Sequence, residues 1–168
     1  MGTPSGLIMD AARIQRSLTR MAWQIYENHH QDEQIVLAGI QGRGVDVMQR
    51  LGDILDDIAT FSVHRIVVDI DKSEPWNSEV VFKELDFSLL STVPIVLVDD
   101  VLNSGKTILY AMSPLIRHEM KKLSLAVLVD RSHKRFPLQG NVVGLRLSTS
   151  SHEHVRVSFT GEECVYLE

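Results

Sequence analysis

Two acids side by side, Asp99 and Asp100, stand four residues ahead of the run Ser104-Gly105-Lys106-Thr107. Each half of this constellation has a chemistry. A glycine at the mouth of a helix lets successive N–H groups converge on an anion, and the helix end adds positive potential. Ser104 and Thr107 supply hydroxyl donors to the same place. Carboxylates accept hydrogen bonds from a vicinal diol while the loop takes a phosphate, so the two together imply a ribose 5-phosphate group. The alternative is a plain helix start behind two solvated acids. It does not explain why paired acids, a hydrophobic strand and this turn coincide. A nucleoside-triphosphate loop is excluded, because that motif needs a glycine where this chain has Asp100.

Other residues carry weaker signals. Gly39-x-x-Gly42-x-Gly44 around Arg43 reads by itself as a tight turn. His152 and His154 fall on one side of a strand and could share a zinc ion, but no third ligand is near, and surface polarity is the better reading. His29-His30 suits the negative end of a helix. Lys121-Lys122 and Arg131 to Arg135 form basic clusters of the kind usually left in water. Trp76, beside Pro75 in a polar stretch, fits either a partner surface or a lid contact.

The elements that must hold these residues follow from periodicity. Ile14, Leu18, Met21, Ala22 and Ile25 recur at helical spacing and predict a helix over 10–28 with Asp10 as N-cap. Gln34 to Ile40 and Pro94 to Asp100 are short apolar runs rich in β-branched residues, expected as strands buried on both faces. Between them the pattern predicts a helix over 45–58, a strand over 61–70, an exposed loop over 71–78 and a short return strand at 80–82. A helix over 106–119 and a strand over 122–130 come next. Strand–helix–strand alternation predicts an α/β fold: an open, mainly parallel sheet with helices on both faces. Ligands of such sheets sit beyond the carboxyl ends of the strands, where Asp99 and Asp100 are. The remaining segments, 141–146, 154–159 and 164–167, read as a small antiparallel appendage.

With 168 residues, 44% hydrophobic and 23% charged, and no repeat or linker, one domain spanning 1–168 is expected. A net charge of −5 argues against nonspecific coating of nucleic acid. The single cysteine, Cys164, excludes an internal disulfide and a cysteine-rich zinc site. With no apolar run long enough for a membrane span and no leader pattern, a cytoplasmic protein is expected.

The segment Val96-Leu-Val-Asp-Asp-Val-Leu-Asn-Ser-Gly-Lys-Thr107 resembles the signature of type I phosphoribosyltransferases. The likeness is strongest to the bifunctional pyrimidine-operon attenuator/uracil phosphoribosyltransferase family. It runs through Ser17-Leu-Thr-Arg20, Gly39 to Gly44, Leu125 to His133, Gly144 and Ser148-Thr-Ser150. The resemblance implies transfer of ribose 5-phosphate from magnesium-bound phosphoribosyl pyrophosphate to a nucleobase, with uracil or another pyrimidine as acceptor. It makes Asp99 and Asp100 the catalytic acids, and puts the 5-phosphate on Asn103, Ser104, Gly105, Lys106 and Thr107. Pyrophosphate falls to Gln41, Gly42 and Arg43, and the base to a hood after the last parallel strand, with Asp130, Arg131 and residues 144–147. The alternative for Asp130-Arg131 is a surface ion pair. A homodimer is implied, and RNA as a further partner. Five positions depart from the family: Asn103 stands where an aromatic or an acid is usual, Lys72-Ser73 replaces aromatic and basic lid residues, Trp23 replaces a histidine, and Gln139 falls in a stretch usually more basic. Asparagine cannot take a proton from an incoming base. Trp23 and Gln139 lead us to expect little specific RNA affinity.

Overall fold

The computed structural model describes residues 6–150 and 152–168. Six strands form the main sheet in the order β4-β3-β2-β5-β6-β7. They are β2 (Gln34–Ile40), β3 (Ser62–Asp69), β4 (Val81–Phe82), β5 (Ile95–Leu102), β6 (Leu123–Arg131) and β7 (Val142–Leu147). All neighbours run parallel except β4, which returns antiparallel along β3. The central strands β2, β5 and β6 are buried along nearly their whole length, as expected of a sheet covered on both sides.

Helices α1 (Ala11–His29) and α2 (Arg43–Ile58) cover one face. Asp10 caps α1 by accepting the Arg13 N–H at 2.7 Å. Ile14, Leu18, Met21 and Ile25 of α1 pack with Val47, Met48, Leu51 and Leu55 of α2 against Val96, Val98 and Leu128. The opposite face is thinner. There α3 (Lys106–Ala111) supplies Ile108 and Ala111, which meet Ile40, Val68, Ile95 and Leu97 with the help of Leu90 and Leu115 from short 3₁₀ turns.

Two expectations need correction. The helix predicted over 106–119 stops at Ala111, and a 3₁₀ turn covers Leu115–Arg117. Pro114 has no N–H to give, and its ring would crowd the Tyr110 carbonyl, which the Ser113 N–H takes at 3.0 Å. The last three strands do not form one appendage. β7 extends the main sheet, parallel to β6 and buried at Val142 and Val143. Asn141 starts it by pairing with Leu125, giving its N–H to the carbonyl and accepting the Leu125 N–H on Oδ1. Only β8 (Val155–Ser158) and β9 (Cys164–Leu167) stand apart, and they need a third strand, β1 (Leu7–Asp10), in the order β1-β9-β8. The hood is therefore built from both ends of the chain, with Met9, Val157 and Val165 sunk into the α1/α2 core.

Candidate functional site

Asp99 and Asp100 lie at the carboxyl end of β5 and are 4% and 8% exposed. Asp99 Oδ1 accepts the Asp100 N–H at 2.9 Å. α2 begins hard against this carboxylate because its second residue is Gly44: a Cβ there would stand 2.9 Å from Asp99 Oδ1 and 3.0 Å from the Val98 carbonyl. Burial, and next the Asp100 charge beside it, push the Asp99 carboxyl up to about 8, against the pull of Lys72. The pair thus holds a proton at neutral pH and would release it to a cationic neighbour.

Behind Asp99 a narrow pocket of about 50 Å³ is lined by Asn103, Ser104, Gly105, Lys106 and Thr107. Gly105 takes φ +88°, the left-handed backbone that glycine adopts freely, and turns the chain into α3. The Ser104 carbonyl accepts the N–H groups of Arg135 and Phe136 at 3.0 and 3.1 Å, which ties the loop to the segment after β6. The first turn of any helix leaves its N–H groups without an intrahelical partner, and here they border the pocket.

Gln41, Gly42 and Arg43 form the turn between β2 and α2, with Gly42 at φ +92°. Lys72 joins this turn to the acids. Its Nζ lies 3.6 Å from Asp99 Oδ1 and 4.0 Å from where a Gly42 Cβ would be. Sequence reasoning took Lys72 only as a departure from its family and missed this contact; its place just beyond β3 on the same sheet edge was the available signal. Trp76 stands beside the start of α3, with Lys106 Nζ 5.0 Å from the centre of its ring and Tyr110 at 6.5 Å. Arg43 also lines a cavity of about 230 Å³ with Asp46, Arg156 and Tyr166.

Asp130 and Arg131 are not a surface ion pair; both are buried, at 6% and 7% exposure, and they point to different partners. Asp130 is held by Lys134 and the Gly140 N–H. Arg131 donates to Thr149 Oγ1 from Nε at 2.9 Å, to the Glu153 carbonyl from Nη2 at 2.7 Å, and to Asn103 Oδ1 from Nη1 at 3.0 Å. Both residues border a cavity of about 340 Å³ with Lys134, Leu138, Gln139 and Arg146. The site is thus a narrow pocket and a wider chamber, joined where Asn103 meets Arg131, beside a buried acid pair.

An open parallel sheet with paired acids and a glycine-turned anion loop at its carboxyl edge defines a phosphoribosyltransferase scaffold. The chain belongs to the phosphoribosyl transferase domain family, whose model matches residues 7–160. It is a type I member close to the proteins called Bifunctional protein PyrR. It is 34% identical over 160 residues to that of Leuconostoc mesenteroides, covering 92% of this chain and 91% of the relative. With that of Streptococcus pneumoniae it shares 36% over 158 residues, covering 91% and 89%. Among solved structures, the hypoxanthine phosphoribosyltransferase of Trypanosoma cruzi has the same fold, with a TM-score of 0.77 at 13% identity over 97% of this chain and 95% of that one.

Proposed function

We propose that this chain transfers the 5-phosphoribosyl group of phosphoribosyl pyrophosphate to a nucleobase, with uracil the first candidate, and releases pyrophosphate. The observation that carries the reading is the buried pair Asp99–Asp100 beside the Ser104–Thr107 pocket. Displacement at the anomeric carbon develops positive charge on the ribose and needs no protein nucleophile. The acids hold the ribose hydroxyls and favour that charge, and the loop anchors the 5-phosphate. Gln41, Gly42 and Arg43 take the pyrophosphate, and Lys72 lies between it and Asp99. The buried acid pair, countered among the described residues only by Lys72 at 3.6 Å, suits a ligand that arrives with a divalent cation. Magnesium bound with the substrate would neutralise the leaving pyrophosphate. Trp76 and its loop cover the phosphate pocket and exclude water.

The test is pyrophosphate release from phosphoribosyl pyrophosphate, screened over uracil, hypoxanthine, guanine, adenine and orotate. Changing both Asp99 and Asp100 to Asn removes charge-assisted hydrogen bonds worth about 1.5–3 kcal/mol each and should weaken binding or turnover strongly. Wild-type kinetics in that double variant would refute the ribose assignment.

A regulator that binds RNA through this scaffold is the second reading. Arg20, on the α1 surface, is already committed to the carbonyls of Val143 and Gly144 at 3.1 and 2.5 Å, and its neighbour Trp23 is exposed. We therefore expect weak, salt-sensitive and sequence-indifferent RNA binding. Nanomolar, hairpin-specific binding in a filter assay would reverse this ranking. The homodimer expected from the resemblance is checked by light scattering.

A further inference from the structure

The contact between Asn103 and Arg131 fixes more than the shape of the site. A guanidinium can only donate, so the Asn103 oxygen must face Arg131 Nη1, and the amide nitrogen is turned the other way. Asn103 is exposed and lines the phosphate pocket, while Arg131 lines the adjoining chamber. At the junction of the two, where an acceptor must meet the anomeric carbon, the protein offers N–H groups. The charge balance points the same way. Arg131 is 7% exposed, yet every partner of its guanidinium among the described residues is neutral: Asn103 Oδ1, Thr149 Oγ1 and the carbonyls of Ser150 and Glu153. The nearby carboxylates make their direct contacts elsewhere, Asp130 with Lys134 and Glu153 with the Ser150 N–H at 2.7 Å, and the Glu153 charge reaches Arg131 only from a distance. A buried cation whose hydrogen-bond partners are all neutral is costly, and an anionic ligand relieves that cost.

Building on the transferase reading above, we propose that the acceptor nucleobase is taken as its anion, already deprotonated by solvent, with Asn103 Nδ2–H and Arg131 Nη1–H directed at its electron-rich edge. The transfer then balances without a protein base. The nitrogen lone pair of the anion forms the bond to the anomeric carbon, and the carbon–oxygen bond breaks with its electrons leaving on pyrophosphate. No proton passes to the enzyme. Asn103, which deprives the site of a general base, is on this account the group that selects the ionised acceptor.

The experiment compares uracil with its more acidic 5-fluoro and 5-nitro derivatives at one fixed pH. It has two readouts: pyrophosphate release, and calorimetric binding of each base in the presence of ribose 5-phosphate, which cannot react. Affinity and kcat/KM should both rise with acidity, by at least about tenfold across the series, as expected for one charge-assisted contact. Asn103→Asp puts a carboxylate against Arg131 and should reduce that advantage to about onefold while uracil itself changes less. Flat or inverted acidity trends, or an Asn103→Asp variant that keeps the full advantage, overturn the proposal. The two readouts also separate it from the transferase reading. Trends in binding without pyrophosphate release from any base would remove the transferase and leave the anion site. Turnover without an acidity trend would do the reverse.

Discussion

At the scale of single residues, the site depends on where a proton and a methyl group are absent or present. The Asp99 carboxyl is pushed up from an ordinary value near 3.8 to about 8 by burial and by Asp100. The folded protein therefore binds a proton there that the unfolded chain has lost, and this group's contribution is full below its unfolded pKa and lost as pH rises toward about 8. For the unliganded protein, the melting temperature of Asp99→Asn relative to wild type should increase steadily from about pH 4 to about pH 8 and then level off. A difference that stays flat across that window would refute the buried, protonated acid. Gly44→Ala tests the close approach of α2. The added carbon meets Asp99 Oδ1 at 2.9 Å and the immovable Val98 carbonyl at 3.0 Å, so chemical denaturation should reveal a loss of about 1–3 kcal/mol, accompanied by weaker ribose 5-phosphate binding.

At the scale of elements, the turn into α3 is the piece on which the Ser104–Thr107 pocket depends. Gly105→Ala must hold a Cβ at φ +88° with Leu138 Cδ1 only 3.3 Å away, and should cost about 1–2 kcal/mol in a urea titration while loosening the loop for phosphate. An alanine variant as stable as wild type would mean that the turn relaxes easily. This turn was legible in the sequence because its signal is local: a glycine between hydroxyl residues behind an apolar strand. β2 and β5 were legible for a similar reason, since burial on both faces leaves continuous apolar runs. The end of α3 was misjudged because Leu115 continues the apolar rhythm past Pro114, and the rhythm was given more weight than the proline. β7 looked like appendage because it is short and its buried Val142 and Val143 give way to half-buried residues and the exposed Arg146. Lys72 escaped for another reason, as did the contact of Arg131, a named hood residue, with Asn103: both act across strands, and no pattern within one segment announces such a contact.

At the scale of the molecule, two units of unequal reach build the site. The main sheet supplies the acids and the Ser104–Thr107 pocket, whereas the segment leading to the small sheet holds Arg131 through Thr149, Ser150 and Glu153. Met9→Ala, deep beneath the small sheet at 1% exposure, should cost about 2–5 kcal/mol. Hydrogen exchange should then quicken in β8 and β9 before it does in β5; uniform quickening would mean that the two sheets unfold as one. Because β1 finds its partner only in β9, where the Leu167 N–H meets the Gly6 carbonyl at 2.9 Å, the first strand must wait for almost the whole chain to be made. Emerging from a ribosome, such a chain can shape its Ser104–Thr107 pocket well before Arg131 has a seat, and so, on the proposed function, passes through a stage able to hold a sugar phosphate but not to choose a base.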